Sequence, residues 1–153
     1  MWKRRLPCGL WPYDPYEGRL PIVFAIETCE ERKIGLVRFY GELTEADFEG
    51  LDVAARAVKD APAYDVIYDM SGVEDEHLAV DFVSKRGKLP QANPSRQRLY
   101  VVPQDDLKLL VRLYAAYQAS AGWVEPVVVG TLQEALDRLQ IGPSDFKPYR
   151  RSA

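Results

Sequence analysis

The segment Asp65-Val66-Ile67-Tyr68-Asp69-Met70-Ser71-Gly72-Val73 constrains the fold more than any other part of the chain. Val66, Ile67 and Tyr68 favour extended backbone, and the run stops at Asp69, Ser71 and a turn-permitting Gly72. Its apolar residues are consecutive rather than alternate, the pattern of a strand covered on both faces. Helical patterns precede and follow it, which is the punctuation of an α/β domain. Asp69 and Ser71 then fall at the carboxyl end of a central strand, where open α/β sheets place their ligands. Asp69 is expected to accept hydrogen bonds from loop N–H groups rather than to act as a base.

The elements on either side complete the order. Residues 22–28 and 34–40 read as two strands joined by Glu30-Glu31-Arg32-Lys33, a hairpin ended by Gly41. Thr44 with Asp47 three residues on is close to a capping box, and Phe48, Leu51, Ala55 and Val58 give the following helix an apolar face. Pro62 closes it. A weaker helix is expected over residues 77–89, with Glu74-Asp75-Glu76 favouring its dipole. A strand over 99–103 leads to the strongest helix, capped by Asp105 or Asp106 and ended by Gly122. Leu109 and Ala116 widen its apolar arc to roughly 200°, about twice what one core contact needs, so a second packing partner is expected. A strand over 124–129 and a helix opened by the Thr131/Glu134 capping box finish the domain.

The expected class is α/β, a mixed β-sheet with an N-terminal hairpin and packed helices. Three parts follow: a Pro- and aromatic-rich arm (1–21), the domain (22–141) and a basic tail (142–153). The arm's Trp2, Trp11, Tyr13 and Tyr16 are expected to pack on this domain or on a neighbouring copy. The tail is expected to be irregular.

The order resembles the STAS-type domains, the anti-sigma-factor-antagonist-like group, and especially its small uncharacterised bacterial branch. The residues that carry this are Gly41-Glu42-Leu43-Thr44 with Asp47-Phe48, Asp69-Met70-Ser71-Gly72-Val73, Val101-Val102-Pro103, Arg112-Leu113-Tyr114 with Tyr117-Gln118, and Thr131 to Leu136. The resemblance implies a regulatory or protein-interaction module. Signalling members carry a phosphorylated serine where the helix after the central strand begins. Here that position falls near His77-Leu78-Ala79-Val80, which has no hydroxyl, and Ser71 belongs to the strand-end motif instead.

The side-chain inventory points away from catalysis. His77 is the only histidine, the glycines form no phosphate loop, and Ser71-Gly72 lacks a nucleophile elbow. Glu74, Asp75, Glu76 and Asp81 lack the ligand spacing of a calcium loop. No catalytic residue, metal or cofactor is therefore assigned. With 20 basic against 23 acidic residues the net charge is −3, which gives no footprint for nucleic acid. No apolar run approaches the roughly 18 residues of a membrane span, and no leader pattern is visible, so a cytoplasmic protein is expected. Cys8 and Cys29 suggest no structural disulfide. The candidate ligand or partner surface is Asp69, Ser71, His77, Leu109, Arg112 and Tyr114. A homodimer through the wide helix and a regulatory protein partner are expected. The alternative is a site for a small apolar or lipid ligand, with Tyr100, Tyr114 and Tyr117 as candidate lining.

Overall fold

Glu30 to Lys33 close a hairpin in which Lys33 takes positive φ, 54°, at the tip. The hairpin joins β2 (Ile22–Cys29) to β3 (Ile34–Thr44), antiparallel, with Ile26 opposite Val37. The computed structural model describes residues 10–13, 22–57, 64–91 and 95–149. Ahead of the hairpin lies β1 (Leu10–Tyr13), and after it come α1 (Glu45–Ala57), β4 (Asp65–His77), α2 (Val80–Gly87) and β5 (Arg98–Val101). Then follow α3 (Asp105–Ser120), β6 (Val127–Val129), α4 (Leu132–Leu139), a short 3-10 turn and β7 (Lys147–Pro148).

The sheet is ordered β1-β2-β3-β4-β5-β6, and β7 also pairs with β2. β3 to β6 are parallel neighbours, whereas β1 and β2 run antiparallel. This is the expected mixed α/β sheet. Strand alternation divides the core into two layers. Ile34, Leu36, Ile67, Leu99, Val101 and Val129 pack with Ala135, Leu136 and Leu139 of α4. On the other face Phe39, Met70, Val102, Leu107 and Val111 pack together, joined by Phe48 and Leu51 of α1 and by Tyr68 and Tyr100.

Several expected boundaries are corrected. β3 does not end at Gly41, and β4 does not end near Ser71. The two strands stay paired as far as Thr44 and His77, because β4 takes up an extra residue at each of two register shifts. Such bulges let a ladder continue past residues that would otherwise break it. Gly41 has φ 78° and so carries the bend inside β3. Gly72 permits a close approach, since a Cβ there would lie 2.7 Å from the Phe39 carbonyl oxygen and 2.9 Å from Tyr40 Cδ1. Glu74, Asp75, Glu76 and His77 are therefore strand residues, and α2 begins three residues after His77. Only Asp81 is left in its acidic first turn.

The described parts of the two terminal segments, residues 10–13 and 142–149, are more ordered than expected. β1 covers the outer edge of β2 from Ile22 to Ala25 despite Pro12, and β7 covers Glu27 and Thr28. The tail is not irregular over its described residues 142–149: Gly142 N–H donates to Asp145 at 2.9 Å, and Phe146 is buried in the α4 layer. Both segments add hydrogen bonds to what would otherwise be a bare sheet edge. Of the arm's aromatics, Trp2 and Tyr16 lie outside the described residues, as do the side chains of Trp11 and Tyr13. Pro62, Val58, Cys8 and the Ala55 side chain also lie outside them.

Capping follows the sequence at α1 and α4 but not at α3, where Gln104, not Asp105 or Asp106, is the N-cap and makes no side-chain cap bond, and the two aspartates lie in the first turn. Thr44 N–H donates to Asp47 Oδ2 at 2.8 Å and Glu134 N–H to Thr131 Oγ1 at 3.2 Å. Past α3, Gly122 N–H reaches the Ala119 carbonyl and Trp123 N–H the Gln118 carbonyl, with Gly122 at φ 89°. That pair of bonds is the Schellman ending a glycine permits.

Candidate functional site

The carboxyl ends of β4 and β5 lie on the face that carries α1, α2 and α3. Between these elements is a cleft of about 40 Å³, walled by Phe48, Met70, Phe82, Leu107, Leu110 and Tyr114, with Tyr100 and Arg86 also on its wall. The lining is apolar because the inward stripe of each helix meets the same patch of sheet. Arg86, Tyr100 and Tyr114 bring polar groups to its wall, and Arg98 and Tyr68 pack behind them.

Arg86 leaves α2 and makes a bidentate pair with Asp52 of α1, at 2.9 and 2.7 Å, while its guanidinium lies 5.0 Å from the Phe48 ring centre. Arg98 leaves the start of β5 and donates to the Tyr114 hydroxyl at 2.8 Å, to Gln118 Oε1 at 2.9 Å and to the Val124 carbonyl at 3.0 Å. All three acceptors are neutral, and no carboxylate pairs with Arg98 among the described residues. Tyr68 and Tyr100 stack at 4.8 Å, and Tyr114 meets Tyr100 edge-on at 5.9 Å. Burial, the largest cause, pushes the Tyr68 and Tyr100 hydroxyls up, with Arg98 and Arg86 opposing it. Both therefore stay protonated donors at neutral pH. Neither has a hydrogen-bond partner among the described residues.

Gln118 holds this arrangement from behind. It is 1% exposed, and its Nε2 donates to the Gly87 carbonyl at 2.5 Å and to the Leu89 carbonyl at 2.9 Å. One amide side chain thus joins the end of α2, the inner face of α3 and the start of β5.

The six residues read from the sequence do not converge. Asp69 is buried and follows the parity of Ile67, toward the α4 layer. Its Oδ1 accepts from Ser71 N–H at 3.0 Å and from the Ser71 hydroxyl at 2.5 Å, which closes the bulged end of β4 on itself. Ser71 is exposed. His77 stands at the tip of β4, its Nε2 2.6 Å from Glu42 and 3.4 Å from Asp75. Leu109 and Arg112 are exposed along the outer side of α3, and Leu109 is 66% accessible. Tyr114 alone enters the cleft. Tyr117 is not on its wall, packing instead against Gly87 and beneath Lys88.

Asp52, Arg86, Phe82, Arg98 and Gln118 were not read as site residues from the sequence, where Gln118 enters only within the motif that carries the resemblance. Each is ordinary in its local pattern and becomes special only through contacts 16 to 34 residues away. Among the described residues no three His, Cys, Asp or Glu side chains gather as a metal site requires. Among them, too, no helix is long and apolar enough to cross a membrane.

The chain has a STAS-like fold. It aligns with the solved structure of the anti-sigma factor antagonist SpoIIAA in its unphosphorylated form at a TM-score of 0.52 and 17% identity, over 76% of this chain and 97% of that one. An uncharacterized protein of the DUF3478 family with a SpoIIAA-like fold, from Shewanella loihica, aligns at a TM-score of 0.48 and 18% identity, over 77% and 93%. At these identities the likeness is one of fold. No protein-family model matches the sequence. No curated protein matches it.

Proposed function

We propose that this protein is a non-enzymatic, cytoplasmic regulatory module that acts by protein contact, as a homodimer that also meets a regulatory partner. The single observation that carries this reading is the outer side of α3. Leu109, Arg112 and Ala116 follow one another at helical spacing, all exposed, and Leu109 is 66% accessible although the inner side of the same helix already fills a core. A two-fold axis beside such a stripe sets each leucine against the partner's small alanine. The fold of an anti-sigma factor antagonist supports the regulatory half of the proposal.

Regulation here works without a hydroxyl acceptor at the start of α2. Residues 77–80 are His-Leu-Ala-Val, and the N-cap Ala79 offers no side chain to the helix end. Immobilised full-length chain and its Leu109→Glu variant, incubated with native extract and read by mass spectrometry, test the reading. A protein retained by the parent and lost by the variant is expected. A parent that retains small molecules alone contradicts it.

A second reading, a small-ligand domain, is favoured by the apolar cleft. Its volume, about 40 Å³ against the roughly 150 Å³ that admits benzene in an engineered core, supports a small ligand over a lipid tail.

A further inference from the structure

The two edges of the sheet are finished differently. On one side β1 and β7 both cover β2, but on the other β6 is the last strand, and no strand pairs beyond it among the described residues. β6 is Val127-Val128-Val129, three residues that favour extended backbone. The Val129 carbonyl accepts from Val102 N–H, so the backbone of Val129 faces β5, and the N–H and C=O of Val128 face outward. Such an edge is a template for one more strand. Val124, 53% exposed, stands just ahead of it in the chain.

The charge beside this edge comes from α3. Helix α2 joins β4 to β5 and α3 joins β5 to β6 on the same face, so the side of α3 away from α2 lies toward the edge. Tyr114 and Tyr117 mark the α2 side, where Gly87 packs against them. By helical spacing Lys108 and Arg112 fall on the opposite side, one turn apart. Neither has an ion pair among the described residues. Two unanswered cations beside a bare strand edge call for carboxylates on the occupant. A second copy does not supply them, since its own edge strand is Val-Val-Val. An extended segment with acidic residues at alternate positions does, because alternate side chains share one face.

Resting on the protein-contact reading above, we infer that the regulatory partner adds an acidic extended segment to the outer edge of β6. Backbone bonds form at Val128, and the acidic side chains meet Lys108 and Arg112 on the α3 side. In strand addition the main chain gives affinity and alternate side chains give specificity. Leu109 points away from the sheet by the same helical spacing, so a dimer centred on it leaves the β6 edge open.

Heteronuclear NMR titration of the full-length protein with the peptide acetyl-Thr-Glu-Val-Glu-Val-Glu-Thr-amide tests this, beside the same peptide with lysine in place of glutamate. The acidic peptide is expected to bind at about 100 μM, and the lysine peptide about tenfold more weakly. The Val128 amide is expected to gain protection from hydrogen exchange as the acidic peptide binds. Lys108→Glu is expected to weaken that peptide about fivefold, and Leu109→Glu to leave its affinity unchanged. Equal affinity for the two peptides, an unprotected Val128 amide, or unchanged affinity in Lys108→Glu overturns the proposal. Binding lost in Leu109→Glu also overturns it, by placing the peptide on the dimer stripe. Binding of neither peptide overturns strand addition and leaves the dimer to be judged by its mass.

Discussion

Arg98 Nη2 donates to Gln118 Oε1 at 2.9 Å, and through that bond the start of β5 and the inner face of α3 are held to the end of α2. The chain depends here on a neutral amide that uses its acceptor and both its donor bonds. Gln118→Ala leaves two carbonyls and a guanidinium short of partners in a site that is 1% exposed. A loss of about 3 kcal/mol is expected from urea unfolding, because unsatisfied buried groups forfeit their full desolvation cost. A loss under about 0.5 kcal/mol, the level of an ordinary surface change, contradicts the bridge.

The bulged end of β4 makes a second prediction. Gly72→Ala places a methyl group 2.7 Å from the Phe39 carbonyl oxygen and 2.9 Å from the Tyr40 ring. The backbone atom cannot swing aside as a side-chain tip can. A loss of about 2 kcal/mol is expected. Gly41→Ala, strained by its φ of 78° but with no atom within 4 Å, is expected to lose less. The reverse ranking in parallel melts would show that the strands do not meet as described.

Alkaline titration gives a third. Burial first, and the bond to Glu30 second, push the Tyr64 hydroxyl up to about 12, and burial raises Tyr68 and Tyr100. A pKa higher in the folded state than in the unfolded one adds stability that is complete below the ordinary tyrosine value near 10. That stability is lost as pH rises through the folded value. Ultraviolet titration should therefore show a late group of tyrosines that ionise only as the protein unfolds, with the melting temperature falling above about pH 10. All nine tyrosines titrating together near 10 in the folded protein would contradict this burial.

The start of α2 gives a fourth. Incubation with a kinase-containing lysate and mapping by mass spectrometry should leave residues 77–80 unmodified, since they offer no hydroxyl. Phosphate on His77, exposed at the tip of β4, would restore a switch at this end of the sheet.

Local patterns were readable in the sequence, and long-range ones were not. Thr131 with Glu134, Thr44 with Asp47, and Gly122 after α3 were legible because a cap and its partner lie within a turn of one another. The strand at Val66 to Tyr68 was legible because a short run of strand-favouring residues, flanked by Asp69, Ser71 and Gly72, fits a strand covered on both faces. The path of β4 beyond Ser71 was not. Glu74-Asp75-Glu76 resemble a helix entrance, and only pairing with Glu42 and Leu43 of β3 makes them extended. The Asp69–Ser71 bonds were within reach of a sequence reading, being two residues apart. Arg98, which organises the cleft, was not, since Tyr114, Gln118 and Val124 are 16, 20 and 26 residues away.

The proposal that α3 joins two copies of this chain is tested most directly by light scattering on the full-length protein at micromolar concentration, beside its Leu109→Glu variant. Leu109 lies at the exposed centre of the proposed interface, so a buried glutamate there should separate the copies without touching the core. The account predicts the mass of a dimer for the parent and of a monomer for the variant, with the same melting behaviour below the dissociation range. A monomeric parent, or a dimer that keeps its mass with glutamate at 109, would contradict it.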